Sequence, residues 1–197
     1  MIKILKRIRL ILEFFRFFPH LILFYTHKNK SFIEADTIRW ISILKIDLNK
    51  AIGFIYLLCY HPEFRNLFYY RVGYLGHILN LFSPKMSTLH IDTKYIGGGL
   101  FIQHGFASTI GAKYIGKNCW VNQQVTIGYS NDTDLPVIMD NVTINAGAIV
   151  IGKVVIGENS RIGANAVVVK DIPENCSVFC PPPYIMKWDA TKSKEQK

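Results

Sequence analysis

Every sixth residue from Ile138 to Val168 is a branched aliphatic: Ile138, Ile144, Val150, Ile156, Ile162 and Val168. Four positions after each stand Val142, Ala148, Val154, Ser160, Ala166 and Ile172, mostly small side chains. The same period runs through Ile115, Val121 and Ile127 and through the pair Ile96 and Ile102. The phase slips between Ile102 and Ile115, and again between Ile127 and Ile138. A six-residue period fits neither the 3.6 of an α-helix nor the two-residue alternation of a long antiparallel strand. It fits a triangular solenoid with about six residues per side and about eighteen per coil. The aliphatic points into the prism, the small residue fits where the wall tightens, and Asn and Gly at corners accept left-handed backbone angles. Stacked coils pair as parallel strands about 4.8 Å apart. Residues 89–180 then form roughly five coils. The second slip holds residues 129–136, polar and turn-forming, which are expected to protrude.

Before residue 88 the pattern is helical. Asp36 is expected to cap a helix carrying Ile38, Trp40, Ile41 and Leu44. An apolar stretch follows from Leu48 to Tyr60. His61-Pro62-Glu63 reads as a helix start, with Pro62 in the first turn and Glu63 near the positive end of the dipole. Leu67, Tyr70, Tyr74, Ile78 and Leu81 continue at helical spacing until Ser83-Pro84 ends the run. The expected fold is mainly β, a parallel β-helix preceded by an α-helical N-terminal region. Four segments are expected: a basic amphipathic segment at 1–30, a helical region at 31–87, the β-helix at 88–186 and a polar tail at 187–197.

The net charge of +9 points to an anionic partner. Lys3, Lys6, Arg7, Arg9, Arg16, Lys28 and Lys30 crowd the first thirty residues, and Lys187, Lys192, Lys194 and Lys197 lie in the tail. No nucleic-acid motif accompanies them, so a nucleic-acid partner is not expected. Residues 2–26 interleave five basic residues and Glu13 with Leu, Ile and Phe. That run is too interrupted to span a bilayer. No small-residue cleavage site marks it as a signal peptide. It suits a helix lying in a membrane interface, or one packed on a partner subunit. Cys59, Cys119, Cys176 and Cys180 lack the spacing of a four-ligand zinc set and read as reduced thiols, so no metal is expected.

Two stretches, IGGGLFIQHGFASTIGAKYIGKNCWVNQQVTIG (96–128) and VIMDNVTINAGAIVIGKVVIGENSRIGANAVVVKDIP (137–173), resemble the serine acetyltransferase-like branch of the hexapeptide-repeat acyltransferases. EFRNLFYYRVGYL (63–75) resembles the segment that precedes the β-helix there. The resemblance implies a left-handed β-helix, acetyl-CoA as co-substrate and a homotrimer with the donor arm in a groove between subunits. It places His104 as the general base, a task suited to an imidazole at neutral pH. A carboxylate usually orients such a base. The branch has an Asp early in the first coil; allowing one gap, His90 stands there, and Asp92 two residues on is the expected substitute. Gly128, Ala146 and Ala164 match donor-arm positions, Gln123 matches a position near the site, and Lys170 is placed to meet a phosphate. Gly128 is also a candidate oxyanion donor. In the C-terminal CPPPYIMKW (180–188), Cys180 and Tyr184 replace a Gly and a basic residue of the family segment, leaving Lys187 as a substitute.

Three readings of function follow. Acetyl transfer to a sugar hydroxyl in cell-surface polysaccharide synthesis is the main expectation, with the protein cytoplasmic and associated with the inner face of the membrane. It rests on the basic N-terminus and on Leu135, which replaces a His of the protruding loop associated with serine binding in the branch. Serine O-acetylation is the alternative, favoured by the resemblance itself. A non-catalytic scaffold is the third, opposed by His104 and the Q-V-T-I-G element.

Overall fold

The computed structural model describes residues 2–131 and 133–182, with side chains from residue 13 onward. Tyr184, Lys187 and the tail at 187–197 lie outside the described residues. Five helices come first: α1 (Ile2–Thr26), α2 (Lys30–Ile43), α3 (Lys50–Tyr60), α4 (Pro62–Val72) and α5 (Tyr74–Phe82). Asn49 caps α3, its side chain accepting from the Ile52 amide at 3.0 Å. Pro62 opens α4, with Glu63 in its first turn and Arg71 in its last, both favourable to the dipole. Gly73, at φ +59°, breaks the run that the sequence spacing joined into one helix. Phe17, Phe24, Trp40, Phe54, Phe64 and Phe68 form the buried aromatic centre of this bundle.

Asp36 is not a cap. It lies inside α2, buried, and receives Arg71 Nε at 2.8 Å and Nη2 at 3.2 Å. The amides of Gly99 and Leu100 donate to the same carboxylate, and Arg71 also donates to the Gly97 carbonyl at 2.7 Å. A buried ion pair is tolerable only with its remaining hydrogen bonds satisfied, and the first coil supplies them. Trp40 adds a bond from Nε1 to the Leu100 carbonyl at 2.8 Å and packs on Phe101 with ring centroids 4.5 Å apart. Residues 97–101 are thereby fastened to α2 and α4, three residues before His104.

The rest is a left-handed parallel β-helix of about five coils with three walls. One wall stacks β1 (Leu89–Ile91), β3 (Ser108–Ile110), β6 (Thr126–Gly128), β9 (Ile149–Ile151) and β12 (Val167–Val168). The second stacks β4 (Tyr114–Ile115), β7 (Val137–Ile138) and β10 (Val155–Ile156). The third stacks β2 (Phe101–Ile102), β5 (Trp120–Val121), β8 (Thr143–Ile144), β11 (Arg161–Ile162) and β13 (Ser177–Val178). Each wall sends one aliphatic column inward: Ile91–Ile110–Ile127–Val150–Val168, Ile96–Ile115–Ile138–Ile156–Ile172 and Ile102–Val121–Ile144–Ile162–Val178. Ile110 is the column member hidden inside the first phase slip. Between it and Ile102, extra residues bulge out at a corner, and one of them is His104. Asn118, Asn141, Asn159 and Asn175 occupy another corner, all with positive φ. The last three bond side chain to side chain at 3.1 and 3.2 Å.

Candidate active site

His104 stands where the chain leaves β2, at φ 53°. Its own carbonyl accepts from the Phe106 amide at 2.6 Å, closing a tight three-residue turn. A left-handed angle at a residue other than Gly or Asn stores strain, and such strain collects at functional sites. The imidazole is exposed and makes no hydrogen bond among the described residues. It opens on a cavity of about 280 Å³ formed by α2, the α3–α4 junction and the first two coils. Trp40, Ile43 and Leu44 line one side, Phe101, Ile102 and Trp120 another, and His61, Glu63 and Gln103 supply polar groups beside His104. Trp120 packs edge-on against Phe101, and its buried Nε1 has no partner among the described residues. A donor left unsatisfied beside a cavity calls for a ligand acceptor. Burial pulls the His61 pKa down, while Glu63 works in the opposite direction; His61 is therefore the neutral histidine of the cavity near pH 7.

The register places the sequence-predicted donor residues in two groups. The left-handed residues Ala107, Gln124, Gly147 and Asn165 stack, which puts Phe106, Gln123, Ala146 and Ala164 in one corner column, and His104 lies in the insertion just before its foot. Two backbone bonds hold this column: Gly147 N to Gln123 O at 3.1 Å and Asn165 N to Ala146 O at 3.0 Å. Gly128 and Lys170 lie at the opposite edge of the same wall, where Gly128 pairs with Ile151 and Lys170 follows β12. One chain does not bring the two groups together. Gly128 has no internal reason to be glycine: its φ is not positive and a Cβ there would meet nothing within 4 Å.

Two other expectations are placed as follows. Asp92 is exposed just past β1 and does not line the cavity. Leu89, at the start of that strand, is the residue that reaches Gly105; Asp92 is three residues on, roughly 10 Å along the strand. The loop at 129–136 leaves β6, and Asp134 closes it by accepting from the Ser130 and Asn131 amides, both at 2.9 Å. The Ser130 hydroxyl adds a further bond, and this hydrogen bonding holds the Asp134 carboxyl below its usual pKa. Leu135 is therefore on the far edge of the wall, beside Gly128 and not in the His104 cavity. Sequence reasoning missed Trp40, Trp120, His61 and Glu63 as site residues. His61 and Glu63 were visible only as a helix start, because their distance from His104 along the chain hides the contact.

The bacterial transferase hexapeptide (six repeats) family matches residues 136–170. The serine acetyltransferase of Synechococcus elongatus is 35% identical over 140 residues, covering 64% of this chain and 57% of the relative. That of Staphylococcus aureus (strain N315) is 41% identical over 101 residues, 49% of this chain and 47% of the relative. The chain thus spans about half the length of the curated relatives it matches. Among solved structures, Neisseria gonorrhoeae serine acetyltransferase in complex with serine aligns with a TM-score of 0.62 and 25% identity, over 81% of this chain and 70% of that one. Soybean serine acetyltransferase complexed with serine shares the fold, with a TM-score of 0.63 and 23% identity over 78% of this chain and 68% of that one. The resemblance to the serine acetyltransferase-like hexapeptide acyltransferases stands. The expectation of a sugar acceptor in polysaccharide synthesis does not: these relatives are serine acetyltransferases, one of them holding serine at 25% identity.

Proposed function

We propose that this chain is an acetyl-CoA-dependent serine O-acetyltransferase with His104 as general base. The observation that carries the proposal is the corner column. His104 protrudes in the insertion just before its foot, facing a cavity, with Gln123, Ala146 and Ala164 in the column beyond. At about 280 Å³ the cavity is at the small end for ligand sites, which suits an amino acid better than a polymer.

The residues present fit the donor. Ala146 and Ala164 keep the corner low, so backbone groups of successive coils are accessible to an amide-containing arm. Gly128 leaves open space at the other edge, and Lys170 is exposed for a phosphate. Acetyl-CoA supplies an acyl thioester. His104 takes the proton of the serine hydroxyl as its oxygen bonds to the acetyl carbon and the carbon–sulfur bond breaks. The imidazolium then returns that proton to the departing sulfur, so the base is regenerated and no covalent enzyme intermediate is needed. The two donor groups lie on opposite edges of one wall, which supports the homotrimer that the resemblance implies, with the corner column of one copy facing the Gly128 edge of the next. No described helix is long and apolar enough to cross a membrane; the basic, apolar sequence of α1 supports peripheral contact with an anionic membrane surface.

The test is CoA thiol release by the purified protein with L-serine and acetyl-CoA. The wild type is expected to turn over, and His104→Ala to lose at least roughly 10²-fold in kcat while still folding and binding CoA. Unchanged turnover in that variant overturns the mechanism. Absence of CoA release with any hydroxyl acceptor supports a scaffold.

A further inference from the structure

His104 lacks the carboxylate that an acid–base imidazole normally leans on. The family's early Asp position holds His90, and Asp92 lies past the end of β1 and outside the cavity. A different acid occupies the space. A Cβ built on Gly105, the residue after His104, would meet Ile102 Cγ2 at 2.8 Å, Leu89 Cδ2 at 3.0 Å and Glu63 Cγ at 3.2 Å. The Glu63 side chain therefore arrives from α4 at the spot beside Leu89, against the turn that carries the base. Resting on the acetyltransferase reading above, we infer that Glu63 is the carboxylate that orients His104 and balances the imidazolium formed during transfer.

The surroundings of Glu63 support this assignment. Glu63 lines the same cavity as His104. Its carboxylate makes no hydrogen bond or salt bridge among the described residues, and its one electrostatic neighbour there is His61 of the same cavity. Its backbone is fixed, since Pro62 opens the helix and Phe64 is 1% exposed in the aromatic centre. The other titratable group of the cavity is His61, whose pKa burial lowers against the opposing pull of Glu63. Arg65, on the same turn, is directed elsewhere, to the Leu58 and Pro84 carbonyls. The exposed imidazole has no other partner to break when it turns to Glu63. One ring nitrogen then donates to the carboxylate, and the other is presented to the acceptor hydroxyl. Gly105 belongs to the device: a side chain there would press on Ile102 and Leu89 as well as on Glu63. Glu63 acts through His104 and is a positioning residue.

Steady-state kinetics of CoA release with L-serine separate the possibilities, using Glu63→Gln and Glu63→Asp. Glu63→Gln keeps the shape and removes the charge. Its kcat is expected to fall roughly 10²-fold, with both KM values within about a factor of two and an unchanged melting temperature. Glu63→Asp restores the charge on a shorter arm and is expected to recover about tenfold of that loss. An unchanged kcat in Glu63→Gln, in a wild type that acetylates serine, overturns the inference and leaves the functional reading intact. A raised serine KM with kcat intact also overturns it, by making Glu63 a substrate-binding group. A wild type that releases no CoA overturns both.

Discussion

His20 shows how one buried side chain ties stability to pH. It lies at 0% exposure between Phe17, Phe68 and Tyr69, with Nε2 at 3.1 Å from the Tyr69 hydroxyl. That hydroxyl gives its proton to the Ser83 carbonyl at 2.7 Å, so the His20 ring must donate to it through Nε2. Nδ1 has no partner. Burial, reinforced by Arg16 and Arg65, lowers the His20 pKa from 6.5 to about 4. In the unfolded chain the same ring takes a proton below about pH 6.5. Between pH 6.5 and 4 the unfolded state binds more protons, so stability falls as pH falls, by roughly 3 kcal/mol from this group at the bottom of the window. Thermal unfolding across that window should show the loss. His20→Gln, which keeps a donor for Tyr69 and does not titrate, should flatten it. A wild-type profile no steeper than that of the variant would refute the assignment.

At the scale of coils and walls, glycines separate folding from function. A Cβ on Gly116 would lie 2.6 Å from the Met139 carbonyl carbon and the Asp140 amide nitrogen of the next coil. Gly116→Ala must push two coils apart and should cost about 1–3 kcal/mol, read from denaturant unfolding. Gly128→Ala meets nothing inside the chain and should unfold like the wild type. Its KM for acetyl-CoA should nevertheless rise severalfold, because the added methyl fills space reserved for the donor. Equal stability of the two variants would show that the coil stacking does not govern this position. The columns behind this contrast were legible in the sequence, because a repeat states its period outright. Their register across phase slips was not. Ile110 is indistinguishable from any loop isoleucine until pairing with Ile91 and Ile127 identifies it.

Over the whole molecule, α1 has two apolar sides. Phe17, His20 and Phe24 pack inward on the bundle. Phe15 (79% exposed), Phe18, Ile22 and Tyr25 face out, and Ile11, Ile8 and Ile4 precede them in the sequence at the same three- and four-residue spacing. α5 adds exposed Ile78, Leu81 and Phe82, joined to α1 by a bond from Arg16 Nε to the Phe82 carbonyl at 3.0 Å. The first thirty residues hold seven basic side chains against one acid, Glu13, and α5 holds no acid. A basic apolar face of this kind matches an anionic bilayer. The protein should co-sediment with phosphatidylglycerol vesicles, less with pure phosphatidylcholine, and Phe15→Glu with Phe18→Glu should abolish it. A double variant that changes oligomeric size and leaves the wild type without vesicle binding would assign the face to a second copy. The sequence by itself determined the solenoid, because an inward aliphatic every sixth residue has one way to be buried. It also marked the helix-rich start and, through its flanking motif, His104. Only the tertiary structure decided what surrounds that histidine. Asp36 and Arg71 fasten α2 and α4 to the first coil, and that docking carries Trp40, His61 and Glu63 to a base far along the chain, a contact that no spacing rule encodes.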